Sequence, residues 1–192
     1  MKIAHLRMLD RTAGVCALAA VSAWVMVGRL CGRRRRPATG EAARILVVKF
    51  WGMGSVVLSF DFFQALRQRY PAARIDAVTM RSNRQIFAMA GPFQSVYAID
   101  TSTLWRTVSQ GCAAILSLRR QPYDLIFDLE FTSRLSALFV GLLRGKQKIG
   151  FRYAGLWRGD CYTDSVLFDE RAKLSRSLLS LLRAVTGAIP SR

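Results

Sequence analysis

Two short stretches hold the residues best able to do chemistry, "KFWGMGS" (49–55) and "DLIFDLEFTSR" (124–134). In the first, Gly52 and Gly54 free the backbone for positive φ and for close approach of a ligand. A helix beginning there would point N–H groups and a partial positive charge at an anion. The spacing is G-x-G without a third glycine in register, and no G-x-x-x-x-G-K-[ST] occurs, so neither a dinucleotide fingerprint nor a P-loop is present. Taken alone, the loop is a tight corner as readily as a site. In the second stretch, Asp128 and Glu130 stand two residues apart at the end of an apolar strand. One of them can sit at a cleft while the other caps the next helix. Asp128, between Phe127 and Leu129, is costly to bury without a partner. Arg134 is a candidate partner for either carboxylate.

The remaining composition narrows the chemistry. The only histidine, His5, lies far out in the N-terminal part, so a general base in the globular part has to be a carboxylate. Cys16, Cys31, Cys112 and Cys161 form no C-x-x-C pair, which argues against a metal site and for reduced thiols; no cofactor is expected. A net charge of +17 over 192 residues points to nucleic acid, an anionic membrane or an anionic substrate. The basic residues are scattered over the helices and form no single stripe interleaved with aromatics, which disfavours nucleic acid.

These candidates need elements to position them. "RILVVKF" (44–50) is an apolar run of the kind buried on both faces of a parallel sheet. An amphipathic helix follows to Tyr70, where Pro71 stops it. Strands are expected at 74–80, 95–100, 123–130 and 148–151, with helices near 82–91, 103–120, 133–145 and 169–187. Alternation with short connections predicts an α/β fold, a Rossmann-like parallel sheet with helices on both faces. In such sheets ligands bind beyond the carboxyl ends of the strands, which directs attention to residues 49–55, 80–84 and 128–134.

Ahead of the sheet, residues 12–28 carry no charge, and "RLCGRRRRP" follows. The reading is a tail (1–11), a transmembrane helix (12–30), a basic linker (31–43) and the globular domain (44–192). Arginines after the apolar run place that domain in the cytoplasm, with a single pass through the inner membrane.

"ILVVKFWGMGSVVLSFDFFQALRQRYPAARIDAVTM" followed by "YDLIFDLEFTSRLSALFVGLLRGKQKIGFR" resembles the N-terminal half of glycosyltransferase family 9, which contains the ADP-heptose:lipopolysaccharide heptosyltransferases. The features that match are the strand–glycine loop–helix, the "RYP" entry into the second strand, the "YDL-D-E" strand and the "IGF" strand, over about residues 44–152. The resemblance implies a GT-B enzyme of two Rossmann-like domains. The N-terminal one receives an anionic lipid-linked sugar, and the C-terminal one, expected to be absent from this chain, holds the nucleotide-sugar donor. Transfer would invert the anomeric centre, with a carboxylate taking the acceptor proton. On this resemblance Lys49, Gly52, Gly54, Ser55, Ser133 and Arg134 contact the acceptor. The family's loop ends in glycine–aspartate, and that aspartate is its proposed base. Ser55 stands there instead, so Glu130 or Asp128, and less readily Asp61, become candidate bases, or the chain is a non-catalytic membrane-tethered module binding an anionic glycolipid or an acidic partner.

Overall fold

The computed structural model describes residues 19–23 and 42–185. The strands are β1 (Arg44–Val48), β2 (Arg74–Met80), β3 (Ser95–Ile99), β4 (Tyr123–Asp128), β5 (Gly145–Arg152) and β6 (Asp164–Leu167). The helices are α1 (Met53–Val57), α2 (Phe60–Arg69), α3 (Arg84–Ala90), α4 (Leu104–Arg119), α5 (Arg134–Leu142) and α6 (Leu174–Val185), with a 3₁₀ turn at Arg81–Asn83 ahead of α3. All neighbouring strands pair in parallel, in the order β3-β2-β1-β4-β5-β6. This is the doubly wound order whose direction of travel reverses between β1 and β4.

Alternate side chains of the central strands feed two separate apolar layers, as a pleated strand covered on both faces requires. Ile45, Val47, Leu125, Phe127 and Ile149 face one layer, filled by Phe62, Phe63 and Leu66 of α2, Phe87 of α3 and Leu178 and Leu181 of α6. Leu46, Val48, Val78 and Ile126 face the other, against Leu118 of α4, Ala137 and Val140 of α5, and Tyr162. Phe63 packs edge-on against Phe62 and Phe93, with ring centroids 6.1 and 5.0 Å away.

Three expectations change. The helix expected from the glycine loop to Tyr70 is broken into α1 and α2. At the break the Ser59 amide bonds the Val56 carbonyl, and its hydroxyl donates to the Ser55 carbonyl at 2.7 Å. Serine bonding of this kind competes with the regular ladder. The strand expected at 148–151 starts at Gly145 and runs to Arg152, and a sixth strand, β6, flanks it. β6 is short, lies at the sheet edge and alternates half-buried with exposed residues, so it lacks the apolar run that marks the central strands.

Of the expected transmembrane stretch only 19–23 is described, and it is helical. Val21 packs on the α5 layer, and buried Ser22 accepts a hydrogen bond from the Asp160 amide at 3.1 Å. No helix among the described residues is long and apolar enough to cross a membrane. The tail, the rest of the apolar run and nearly all of the basic linker lie outside the described residues.

Candidate functional site

The strand-order reversal lies between the loop after β1 and the segment after β4. Groups from the ends of β4 and β2 and from the start of α5 fix that loop. Past the end of β4, the Leu129 amide bonds the Val48 carbonyl at 3.0 Å and turns the Glu130 side chain under the loop. One carboxylate oxygen, Oε1, then accepts from Lys49 Nζ at 3.0 Å, the Phe50 amide at 2.9 Å and the Trp51 amide at 2.8 Å. From the turn after β2, buried Asn83 donates to the Phe50 carbonyl at 2.9 Å. From the start of α5, Ser133 Oγ accepts from Trp51 Nε1 at 3.3 Å and, as helix N-cap, from the Ser136 amide at 3.3 Å.

Lys49 is 2% exposed and its charge is matched by a 4% exposed Glu130. The pair works as a brace under the loop. A charged pair removed from water holds only with good geometry and further hydrogen bonds, and the two backbone amides supply those. Lys49 is therefore held beneath the loop, not on its exposed surface.

Gly52 opens α1 at φ +79°, and a Cβ there would sit 2.8 Å from Ser55 Oγ, so conformation and space both require glycine. The Ser55 hydroxyl lies 2.8 Å from the Gly52 carbonyl and 3.0 Å from the Trp51 carbonyl, and its proton serves the loop. Gly52, Met53 and Gly54 are exposed, and with Ser55 they form the accessible rim. Met53, Val57 and Leu58 add exposed apolar surface there.

Asp128 is fully buried and both its oxygens are engaged. Oδ1 accepts from the Glu130 amide at 3.0 Å. Oδ2 accepts from Ser136 Oγ at 2.9 Å, Tyr162 Oη at 2.6 Å and Arg158 at 3.0 Å. The partner of Asp128 is thus Arg158, not Arg134, whose Nε donates to the Trp157 carbonyl at 3.1 Å. Arg158 also donates to the carbonyls of Ser133 and Phe151, tying the β5–β6 connection to β4 and α5. Burial alone would lower the Arg158 pKa, but Tyr162 and Asp128 outweigh it and hold the pKa raised. Burial, reinforced by the Asp128 charge, pushes the Tyr162 phenol well above its usual range. Tyr162 reaches Asp128 because Gly150 leaves its ring room: a Cβ there would collide with it. Asp128 is thus a closed ion-pair anchor with no exposed oxygen. Glu130 differs, because its three bonds converge on Oε1 and its Oε2 has no hydrogen bond to any described residue. Asp61 lies exposed in the first turn of α2.

Beyond the end of β5, an open groove of about 450 Å³ is lined by Arg152, Tyr153, Trp157 and Asp160 among others. Beyond β3, Asp100 accepts from the Ser102 amide at 2.8 Å and from Arg106 and Arg81 at 3.1 and 3.2 Å. Those contacts, the Ser102 amide first, lower its pKa to about 2. Among the described residues no group of three or more His, Cys, Asp or Glu is placed to hold a metal ion.

The structure brings Gly52, Gly54 and Ser55 together at the rim, with Lys49, Glu130 and Ser133 beneath. Arg134 lies at the start of α5, turned toward Trp157. Asn83 lay within a stretch marked by the strand-end rule. Trp51 likewise lies within the marked stretch 49–55, whereas Arg158 and Tyr162 carry no local signal as site residues.

The chain matches no family model and no characterised protein by sequence. Its fold has solved counterparts. The Escherichia coli heptosyltransferase WaaC with ADP superposes with a TM-score of 0.64 at 18% identity, over 73% of this chain and 47% of that one. A family 9 glycosyltransferase from Veillonella parvula gives a TM-score of 0.66 at 14% identity, over 74% and 41%. The E. coli ADP-heptose lipopolysaccharide heptosyltransferase II gives 0.60 at 20%, over 78% and 44%. The chain therefore spans less than half the length of these structures. They share its fold, a Rossmann-like parallel α/β sheet.

Proposed function

We propose that this domain is the acceptor side of an inverting two-domain glycosyltransferase, which moves a sugar from a nucleotide-sugar to an anionic, lipid-linked sugar at the cytoplasmic face of the inner membrane. The observation that carries the proposal is the loop at the strand-order reversal, braced by groups past the ends of β4 and β2 so that residues 52–55 form its accessible rim. Solved structures of the same fold include one with ADP and one with ADP-2-deoxy-2-fluoro heptose, which supports a nucleotide-sugar donor. Glu130 is the proposed base, through Oε2, and Ser55 shapes the loop.

One observation favours a second reading, a membrane-tethered module that binds the acceptor without transfer. Glu130 is 4% exposed, and its three bonds on one oxygen hold the loop from beneath, a structural use that needs no proton transfer.

The test incubates the full protein with an ADP-sugar and a phosphorylated lipid-linked sugar, reading product by mass spectrometry and acceptor binding by calorimetry. Transfer by the unmodified protein supports the first reading. Acceptor binding without transfer supports the second, and transfer undiminished in Glu130→Gln removes Glu130 as the base. Neither binding nor transfer overturns both.

A further inference from the structure

Helix α4 is built unlike its neighbours. Of its sixteen residues only Leu118 is buried, and its exposed side carries a stripe of apolar residues beside polar ones. Trp105 is 78% exposed, Val108 51% and Leu116 64%, and Cys112 is exposed among them. At 3.6 residues per turn these four fall within about 80° of the helix circumference, turned away from buried Leu118, with Arg119 on the same arc. A surface helix ordinarily turns such a stripe inward.

The surroundings indicate what covers it. Residues 101–123 contain no Asp or Glu, while Arg106, Arg119 and Arg120 lie along the same helix. Arg120 is exposed at the C-terminal end, and Arg106, though bridged to Asp100, keeps most of its side chain in solvent. Tryptophan and aliphatic residues on one stripe with an acid-free arginine rim make a helix suited to lie in the headgroup region of an anionic bilayer. A soluble protein partner would equally cover apolar area, but the one-signed rim favours a surface that is negative throughout. Position agrees: α4 leaves the carboxyl end of β3, so its first turn, with Leu104 and Trp105, lies at the sheet edge that carries the 49–55 loop.

We infer that the outer face of α4 is a docking surface for an anionic lipid bilayer, which sets the rim of the 49–55 loop against the plane where a lipid-linked acceptor is presented. The orientation rests on the proposed function; the lipid contact does not. The test labels Cys112 with an environment-sensitive fluorophore in the full chain carrying Cys16→Ser and Cys31→Ser, with Cys161 protected by burial. Added phosphatidylcholine vesicles containing phosphatidylglycerol should blue-shift the label and shield it from iodide, and phosphatidylcholine alone should do so far less. Trp105→Glu with Leu116→Glu should lower the apparent affinity by about tenfold or more, since it places charge on the inserted face. Met89→Glu, on exposed surface of α3 across the sheet, should leave it unchanged. Both sites are exposed, so thermal unfolding should show folded variants.

A label that stays wet while the protein sediments with vesicles would overturn the inference, because another segment then makes the contact. A blue shift that grows with protein concentration without lipid would overturn it in favour of a second copy of the chain. No vesicle binding also overturns it. If Trp105→Glu/Leu116→Glu still binds a water-soluble sugar phosphate acceptor while losing vesicles, the docking surface and the proposed function are separated; loss of that soluble binding in the unmodified protein bears on the proposed function alone.

Discussion

Replacing Glu130 by glutamine removes one charge and keeps the shape. The amide oxygen of the introduced glutamine can still accept from the Phe50 and Trp51 amides, so the two backbone donors stay satisfied. Lys49 does not fare as well: its ammonium, 3.0 Å from the carboxylate and shut away from water, is left without a counter-charge. Breaking a buried ion pair from one side costs about 3–5 kcal/mol. Replacing Lys49 by methionine in the same chain removes the stranded charge at similar volume, and the double variant should return to within about 1.5 kcal/mol of the parent. The coupling between the two positions should therefore reach about 2 kcal/mol or more, at the upper end of what contacting residues show. Urea unfolding followed by circular dichroism gives each corner of the cycle, with constant m-values confirming that stability alone has changed. Hydrogen exchange at the Phe50 and Trp51 amides should accelerate in the Glu130→Gln single variant and recover in the double. A Glu130→Gln cost below about 1 kcal/mol, the range of an exposed pair, would refute the brace.

Three further outcomes follow from the same geometry. Gly52→Ala should destabilise the protein by about 1–3 kcal/mol, and adding Ser55→Gly should recover only part of this, because it relieves the clash but not the positive φ; full recovery in urea unfolding would contradict the conformational argument. Burial, with Asp76 beside the one and Asp128 beside the other, raises the pKa values of Tyr123 and Tyr162 in the folded state. The stability from the neutral phenols is complete below about pH 10, the unfolded value, and is lost as pH rises beyond it. Absorbance near 295 nm should show these two ionising only together with alkaline unfolding, and early ionisation of both would be the contrary result. Asp100 titrates in the opposite sense: its stability contribution is present above the unfolded value of about 3.9 and is lost as pH falls through about 2. A carboxyl carbon resonance of Asp100 with its midpoint near the unfolded value would refute the Ser102 and arginine contacts.

Much of the scaffold was legible because it is periodic. β2 runs over the expected 74–80, and Ser133 caps the helix that begins beside it, since an apolar run and an N-cap serine act through local chemistry. The break at Ser59 was not legible, because it depends on which carbonyl one hydroxyl meets. β6 was missed because an edge strand gains its identity from the strand it pairs with. The placement of the site at strand ends 49–55, 80–84 and 128–134 followed from the parallel alternation alone, and Lys49, Asn83 and Glu130 do converge there.

What the sequence by itself determined, then, is the parallel α/β sheet, the edge where its strands end, the glycines that let the first loop turn, and the restriction of acid–base chemistry to carboxylates. What only the tertiary structure decided is how those carboxylates are used. Asp128 and Glu130 stand two residues apart, yet one is closed off by Arg158, Tyr162 and Ser136, and the other braces a loop through Lys49 and two amides. Arg158 lies 30 residues from Asp128, and Lys49 lies 81 from Glu130. The state of a buried charge is set by whichever groups the fold carries to within about 4–6 Å of it, and local spacing in the chain does not encode that distance.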